Sequence, residues 1–287
     1  MRIIRHSYKK DIGGREEQQD SVNIVQNEKK ILMVLADGMG GHSGGRKASE
    51  IFVSTAEEHF KNRSHVEKKE FFNNIINDTV KQIELYAKEN KQNPHTTATL
   101  ALIGDKQVDF ANVGDSRVYI FDKKTLLTRT RDHSIPEILF QMGEIEEHEM
   151  ASHPDQNKLT KSLGSNAQGK ATHYSYELKE KNDYFILLCS DGFWEYVKEE
   201  EMRYFLFNFE INKALNSMVE LTKKRGGKRG DNISVAVTTL FNEESNQEIK
   251  KTEKNQKNKT NAIEESYSIL LILSLVIVGI LALAFTL

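Results

Sequence analysis

The stretch ILMVLADGMGGHSGG, residues 31–45, predicts the local structure around which the rest of the chain is organised. Its first five residues, 31–35, are apolar and are typical of a strand buried on both faces. Asp37 follows at the end of that strand, and five glycines lie within residues 38–45, which lets the backbone approach a ligand closely. A strand, an acid, a glycine-rich turn and a following helix together indicate a site for phosphate or metal.

Composition excludes several classes of protein. The 287 residues are enough for one large domain or two small ones. Charged residues make up 29% of the chain and the formal net charge is −2, which argues against nucleic-acid binding driven by bulk charge. Cys189 is the one cysteine, so we expect no disulfide framework and a reducing compartment. The N-terminal MRIIRHSYKK lacks the apolar core of a signal peptide.

Residues 268–287, SILLILSLVIVGILALAFTL, form an uncharged apolar run. As a helix at ~1.5 Å per residue the run is roughly 30 Å long, which matches a bilayer core. The alternative is a buried helix or a helix packed on a partner, but such helices seldom lack a polar stripe. The preceding residues 242–267 are polar and lysine-rich, as in a flexible tether. We expect one transmembrane helix, with the rest of the chain on the cytoplasmic side.

Predicted strands and helices occur in groups rather than in strict alternation. Residues 22–25 and 31–35 can pair as a hairpin, and residues 48–60 and 71–89 have the apolar spacing of amphipathic helices. We expect further helices at 134–142 and 212–224, and further strands at 97–103, 108–113, 117–121, 125–129, 171–178, 184–189 and 233–241. This grouping favours an α+β fold with an antiparallel core.

Four aspartates share one local setting, because each lies beside a glycine. They are Asp37, Asp115, Asp191 and Asp231. An Asp-Gly pair most often makes only a turn, and for each aspartate alone that interpretation is preferable. Together they can converge at one rim of a sheet, where their charges would repel unless a cation neutralises them. Oxygen ligands without Cys or His spacing favour Mg²⁺ or Mn²⁺ over zinc.

Eight segments, over residues 12–240, resemble in order the bacterial branch of the metal-dependent serine/threonine protein phosphatases, type 2C. The set is specific, whereas one Asp-Gly pair is not. The segments are Arg15 with QDS (19–21), ADGMGGH (36–42), HTTATLAL (95–102), ANVGDSRVYIF (111–121), RDHS (131–134), LTKSLG (159–164), LCSDGFWEYV (188–197) and GDNISVAV (230–237). The resemblance implies a four-layer α/β/β/α sandwich with two antiparallel sheets, which we assign to residues 1–241. Composition adds the linker 242–267 and the transmembrane helix 268–287.

The resemblance also implies a set of metal ligands. Asp37 is expected to bridge two ions, and the backbone carbonyl of Gly38 is expected to bind one of them. Asp191 and Asp231 are expected to hold the other ion. Asp20 is expected near the second ion, through water. Two Mg²⁺ or Mn²⁺ ions are therefore implied at this site.

Two further positions complete the implied site. Asp115 matches the position linked in the family to a third, weaker ion, and Arg15 matches the arginine that holds the substrate phosphate. A guanidinium suits that role because its planar fork donates two hydrogen bonds and stays charged. The implied reaction is hydrolysis of phosphoserine and phosphothreonine by a hydroxide that bridges the two metals. Its catalytic residues would be Arg15, Asp37, Asp191 and Asp231.

Some residues depart from the family pattern or have plain structural interpretations. Gln19 stands where the family often has glutamate, and Met39 stands where eukaryotic members have a histidine proposed as the leaving-group acid. A water is at least as good a candidate for that acid as His42. His133 is expected to order a loop. The basic segment 223–229, KKRGGKR, is interpreted equally well as an exposed helix end or as a surface that steers acidic phosphopeptides.

The implied partners are phosphorylated cytoplasmic proteins, with a cognate serine/threonine kinase as one candidate, and the catalytic domain is expected to be monomeric. Two other functions stay open. One is a non-catalytic phosphoprotein-binding module of the same fold, and the other is a partner-switching phosphatase of a sigma-factor regulatory pathway. Degenerate relatives usually lose metal aspartates, so the presence of Asp37, Asp191 and Asp231 favours an enzyme.

Overall fold

The structure, a computed structural model, describes residues 3–40, 44–62, 68–164, 170–180 and 182–241. In chain order its strands are β1 (Ile3–Asp11), β2 (Ser21–Gln26), β3 (Ile31–Ala36), β4 (Gly38–Met39), β5 (His95–Thr96), β6 (Ala98–Ile103), β7 (Gln107–Val113), β8 (Arg117–Phe121), β9 (Leu126–Arg129), β10 (Leu163–Gly164), β11 (Thr172–Glu177), β12 (Tyr184–Cys189) and β13 (Ile233–Phe241). Its helices are α1 (Gly44–Asn62), α2 (Lys68–Asn90), α3 (Ile135–Met142), α4 (Asp191–Trp194), α5 (Glu199–Asn208) and α6 (Ile211–Gly226).

The strands form two five-stranded antiparallel sheets, ordered β1-β13-β12-β8-β9 and β11-β7-β6-β3-β2. This confirms the predicted α+β sandwich with two antiparallel sheets. A third sheet, β10-β5-β4, is absent from the prediction, because strands of two residues are too short to show any periodicity. Its strand β5, His95 and Thr96, lies just before the predicted strand 97–103 and pairs with β4, and the predicted strand itself is β6, which begins at Ala98.

Strand β3 shows why its sequence is apolar without alternation. Leu32 and Val34 belong to a core that includes residues of α1 and α2, whereas Met33 and Leu35 belong to the core between the two large sheets. All six of its residues are buried. A strand covered on both faces requires apolar side chains in both orientations, so the continuous run that predicts this strand follows from its central position.

Helices cover the outer face of each large sheet. Helices α1 and α2 pack over β3, and α6 packs against β1 and β13 through an apolar face that includes Ala214, Leu215 and Met218. The order of layers is therefore helices, sheet, sheet, helices. The active-site connections lie at the end of the sheets where β3 and β12 terminate and where β2 and β13 begin.

Two longer elements, β1 and α5, are also missing from the sequence prediction. Strand β1 pairs with β13 along its whole length, but its burial only alternates between half-buried and exposed. The Ser7 hydroxyl donates to Asn212 on α6 at 2.6 Å, and Lys9 donates to Asn216, so polar side chains stand where an apolar pattern would reveal the strand. Helix α5 buries only Met202 and Leu206, which is too few for a recognisable apolar face.

The chain divides between Asn242 and Glu243 into two units. The described residues belong to the first. No helix in the described part of the chain is both long and apolar enough to cross a bilayer. The predicted linker 242–267 and transmembrane helix 268–287 lie outside the described residues, as does His42.

Candidate active site

Connections from both large sheets meet around one cavity of about 420 Å³. It is lined by Arg15, Glu16, Glu17, Gln19, Asp37, Gly38, Met39, Asp115, Asn157, Leu159, Asp191, Asp231 and Asn232. Of the predicted site residues, only Asp20 is absent from this lining, and it lies buried beneath the cavity. The structure therefore brings together residues that the sequence spreads over more than two hundred positions.

Asp37 is fixed by its backbone rather than by its side chain. Its amide donates to the Thr97 hydroxyl at 2.8 Å, and its carbonyl accepts from the Thr97 amide at 2.8 Å and from the Thr96 hydroxyl at 2.9 Å. A Cβ on Gly38 would stand 2.2 Å from the carbonyl oxygen of Gly45, so only glycine fits there. The carboxyl group of Asp37 keeps a face open to the cavity.

Asp191 and Asp231 approach from the two neighbouring central strands of the other sheet. Asp191 begins α4, and its Oδ1 accepts from the Gly192 amide at 2.6 Å. A Cβ on Gly192 would stand 2.2 Å from the Asn232 carbonyl oxygen, so this glycine lets the two connections touch. The Asp191 carboxyl lies close enough to that of Asp37 to share a hydrogen bond.

Arg15 contacts one of the predicted metal ligands, Asp231, directly. Its Nε donates to Asp231 Oδ1 at 2.8 Å, and its Nη2 donates to Asp231 Oδ2 at 2.5 Å. Gly13 has a φ of +64°, and the Gly14 amide donates to the Gly230 carbonyl at 2.9 Å, which holds this loop against the start of β13. The Arg15 side chain is 57% exposed, so the guanidinium remains accessible from the cavity.

Asp20 is the deepest of the acids, with 2% of its surface exposed. Its Oδ2 accepts from the Ser190 hydroxyl at 2.9 Å. Its Oδ1 is buried without a hydrogen-bond partner among the described residues. Burial raises the pKa of Asp20 to about 7, and the charges of Asp191 and Asp231 contribute to the increase.

The same causes act on the other carboxyl groups of the cavity. Burial, with the charge of Asp191, raises the pKa of Asp37 and of Asp115 well above the ordinary value. Burial and the charge of Asp231 raise the pKa of Asp191 to about 6. Burial is the largest cause of each shift and repulsion among the like charges adds to it, and a cation held between the carboxylates would offset both by favouring the charged form.

The arrangement fits divalent cations in its chemistry. Every candidate donor is an oxygen, which suits Mg²⁺ or Mn²⁺, and one buried oxygen of Asp20 has no partner. As they stand, however, no three His, Cys, Asp or Glu side chains in the described ranges enclose one point as a ready ligand set. Arg15 occupies both oxygens of Asp231, so cation binding requires Asp231 to exchange this partner.

Asn232 is a site residue that the sequence motifs alone do not identify. Its Oδ1 accepts from the Gln19 amide at 2.7 Å, and its Nδ2 donates to the carbonyls of Ile12 and Glu17 at 2.9 and 3.0 Å. One buried amide therefore shapes the whole loop that carries Arg15. The available signal is a polar residue immediately after Asp231 and before an apolar strand, a position where burial is expected.

Helix α4 contributes two more residues that were not predicted. The indole N–H of Trp194 donates to the Asp115 carbonyl at 3.0 Å, which fixes the backbone of that aspartate. Glu195 lies one helical turn after Asp191, and burial, with the charges of Asp191 and Asp231, raises its pKa to about 8. The signal for Glu195 is its i,i+4 spacing from Asp191.

His133 orders a loop, as predicted. Its Nδ1 accepts from the Gly114 amide at 3.1 Å, and its Nε2 lies 2.8 Å from the Thr172 hydroxyl. Burial lowers the pKa of His133 to about 4, and the charge of Lys161 acts in the same direction. The ring is therefore neutral near pH 7 and holds the turn that carries Asp115.

A cavity lined by carboxylates, with an accessible arginine, at the end of a two-sheet α+β sandwich fits a hydrolase of phosphate esters. Residues 10–226 match the family described as "Protein phosphatase 2C". The chain belongs to that family and is a serine/threonine protein phosphatase of the 2C type.

Individual relatives agree with this assignment. The chain is 34% identical over 243 residues to a serine/threonine phosphatase stp of Listeria welshimeri, which covers 81% of this chain and 90% of the relative. The crystal structure of Stp1 from Staphylococcus aureus aligns with a TM-score of 0.75 and 29% identity, over 84% of this chain and 96% of that one. The catalytic domain of PstP in complex with two manganese ions aligns with a TM-score of 0.72 and 25% identity, over 84% and 100%.

Proposed function

We propose that the cavity holds two Mg²⁺ or Mn²⁺ ions and hydrolyses phosphoserine and phosphothreonine on proteins. Asp37 would bridge the ions, with the Gly38 carbonyl on one of them and Asp191 and Asp231 on the other. Asp20 would lie near the second ion through water. The observation that carries the proposal is the convergence of Asp20, Asp37 and Asp191, whose pKa values are raised by burial and by neighbouring carboxylates of the same site.

The chain's own residues divide the work of binding and orientation. When bound, the cations would supply neutralisation of phosphate charge and a lowered pKa for water. Arg15 would release Asp231 and donate its two parallel N–H groups to phosphate oxygens. Asn232 and Gly13 would keep the Arg15 loop beside Asp231, so that Arg15 and the cation held by Asp231 would contact the same phosphate.

Asp115 would hold a third, weaker ion beside the first two. It is buried, its charge couples to Asp191, and the Trp194 indole fixes its backbone. Glu195, the residue that follows α4, is near enough to Asp191 and Asp231 for their charges to raise its pKa, so it adds a carboxylate next to the cavity. Substitution of Asp115 by asparagine should therefore lower turnover without abolishing cation binding at Asp37.

The test compares Asp37→Asn, Asp231→Asn and the parent chain on a phosphothreonine peptide and an aryl phosphate. We expect Mn²⁺ to restore hydrolysis to the chelated parent, and each variant to lose at least about 10³-fold in kcat/KM. Thermal unfolding of the same samples checks that each variant folds. Hydrolysis by a folded variant at the parent rate would exclude this set of ligands.

We also propose that residues 268–287 anchor the enzyme in the membrane, with residues 1–241 as the catalytic domain on the cytoplasmic side and 242–267 as a linker. The length and uncharged composition of the run support this proposal. We expect the full chain to pellet with membranes and to need detergent for release, and a chain ending at Asn242 to stay in the supernatant. Recovery of both chains in the supernatant would contradict the anchor.

The substrates would then be phosphorylated cytoplasmic proteins, and an anchored kinase is a candidate among them. Tethering raises the effective concentration of the phosphatase near partners at the same membrane. Phosphoproteomes of cells carrying the parent enzyme and Asp37→Asn should differ most at membrane-associated phosphoproteins. An equal change across all cytoplasmic phosphoproteins would argue against selection by tethering.

A further inference from the structure

We propose that Lys224, Lys228 and Arg229, here called the basic ridge, select phosphoprotein segments with acidic residues beside the phosphorylated residue. The proposal rests on the proposed function, because it assigns a substrate class to the same cavity. Lys224 lies in the last turn of α6, and Lys228 and Arg229 lie in the connection between α6 and β13, with Gly230 between Arg229 and Asp231.

The backbone places the ridge beside the arginine loop. A Cβ on Gly14 would stand 2.5 Å from the Lys228 carbonyl oxygen, so the two segments are in direct contact at this point. The Gly14 amide donates to the Gly230 carbonyl at 2.9 Å, one residue beyond Arg229. A substrate whose phosphate reaches Arg15 therefore has its flanking residues next to Lys228 and Arg229.

The ridge is also held firmly from the opposite side. Arg225 donates to the Tyr196 carbonyl at 2.5 Å and to Glu201 at 2.6 and 2.7 Å. A Cβ on Gly226 would stand 3.3 Å from the Tyr196 ring, so the end of α6 rests on that half-buried side chain. Burial raises the pKa of Tyr196, and the positive charge of Arg229 is near enough to oppose this increase.

The charges of the ridge differ from those of neighbouring basic residues. Lys223 pairs with Asp11 and Glu220, and Arg225 pairs with Glu201, so both are neutralised within the protein. Lys224, Lys228 and Arg229 are exposed and form no ion pair with any carboxylate in the described ranges. Three uncompensated positive charges within six residues leave the surface beside the Arg15 loop free to attract negative charge.

The Arg15 loop also presents acidic residues to the cavity. Glu16 and Glu17 line it, but Glu17 is paired with Arg46 at 3.3 Å, so Glu16 is the acid of this loop that forms no ion pair in the described ranges. An acidic segment would be repelled at Glu16 and attracted along the ridge, so charge would favour one direction for the peptide as well as its composition. The structure thus points to a peptide whose acidic residues follow the ridge.

The test uses two phosphothreonine peptides that differ only in three flanking aspartates or three flanking lysines, assayed with Mn²⁺. We expect the parent chain to favour the acidic peptide in kcat/KM, and Lys228→Glu with Arg229→Glu to reduce the acidic-to-basic ratio about tenfold or more. In the parent, 0.5 M salt should weaken the preference, because exposed charges are screened at about 4 Å at that ionic strength.

The matched control reverses two charges at the opposite end of the sheet. Lys29→Glu with Lys30→Glu changes the turn before β3, roughly 20 Å along that strand from Asp37. An equal fall of the ratio in this control, or an unchanged ratio in the ridge variant, would overturn the proposal. An aryl phosphate reports the metal chemistry alone, so its hydrolysis with an unchanged peptide ratio counts against the ridge and not against the proposed function.

Discussion

Two neighbouring regions differ in how their buried charges are paired. At the Arg117–Asp132 pair, each residue is 5% exposed and the guanidinium meets the carboxylate through Nε at 2.9 Å and Nη2 at 2.6 Å. Arg117 Nη1 also donates to the Tyr119 hydroxyl at 2.9 Å, and its guanidinium lies 3.5 Å from the centre of the Trp194 ring. Every charge in this region is therefore matched within the protein.

In the cavity, by contrast, carboxylates outnumber the cations that contact them. Asp20, Asp37 and Asp191 are crowded together, and the contacting guanidinium, that of Arg15, lies on Asp231. A paired buried charge costs desolvation but keeps a fixed geometry, whereas an unpaired one stays partly protonated until a cation arrives. The comparison separates charge used for structure from charge kept for binding.

The largest expected effect comes from breaking the internal pair. Asp132→Ala leaves the Arg117 guanidinium buried without its partner, so we expect the free energy of unfolding to fall by about 3–5 kcal/mol. Urea unfolding measures it. The control is the double variant Arg117→Met with Asp132→Leu, which removes both charges and should recover most of that loss. A loss below about 1 kcal/mol in Asp132→Ala would contradict the assignment of the pair to structure.

Asp20→Asn is expected to raise the free energy of unfolding, whereas Asp132→Ala lowers it. The pKa of Asp20 is about 7 in the fold against 3.8 as its ordinary value. Stability from this group is thus fully present below pH 3.8 and is lost as pH rises through 7. The asparagine Oδ1 can still accept from Ser190. In the presence of a chelator we expect the variant to be more stable than the parent at pH 8, by about 1–3 kcal/mol.

The Asp20→Asn measurement is unfolding by urea at pH 5 and pH 8, with chelator and with Mn²⁺. The advantage of the variant should grow between the two pH values and should shrink or reverse with Mn²⁺, because a carboxylate near the cation has been lost. A variant less stable than the parent at pH 8 in chelator would show that Asp20 has an internal partner, like Asp132.

A smaller, pH-dependent effect is expected at His133. Its pKa is lowered to about 4 from 6.5 by burial, so the unfolded chain binds the proton first as pH falls. Stability from this neutral ring is full above pH 6.5 and is lost between pH 6.5 and 4, by up to about 2 kcal/mol. His133→Asn keeps an acceptor for the Gly114 amide and should flatten this part of the pH profile in thermal unfolding. An unchanged slope would exclude His133 as its source.

The sequence predicts the elements whose side chains face apolar surroundings. Strands β12 and β13 have the predicted limits, because a central strand needs an unbroken apolar run. Strand β1 escapes prediction because Ser7 and Lys9 meet asparagines of α6, and a polar contact of that kind has no periodic signature. The hydrophobic pattern of the sequence predicts elements that are buried in apolar surroundings. It does not predict elements that are held by polar contacts.

The sequence likewise predicts only part of the candidate site. The Gly-Asp and Asp-Gly pairs indicate four of the acids that line the cavity, but the same pair at Gly104-Asp105 forms only the turn between β6 and β7, and Asp20 has no glycine beside it. The particular partner of each acid depends on tertiary placement. Arg15 and Asp231 are 216 residues apart, and no local pattern indicates that they form two hydrogen bonds. The internal matching of Asp132 by Arg117 is hidden for the same reason.

The smallest expected effect concerns the contact between Arg15 and Asp231. Arg15→Ala frees Asp231 from its guanidinium, so Mn²⁺ no longer competes with an internal cation for this ligand. Because the pair is largely exposed, we expect Mn²⁺ affinity in calorimetry to rise by up to about fivefold. Hydrolysis should fall at the same time, since the group expected to hold phosphate is gone. Arg15→Lys keeps one charge without the planar fork and should lie between the two for both quantities. Weaker binding of Mn²⁺ to Arg15→Ala would instead show that Arg15 holds Asp231 in place, as Arg117 holds Asp132. The arginine would then have the same structural role in both regions.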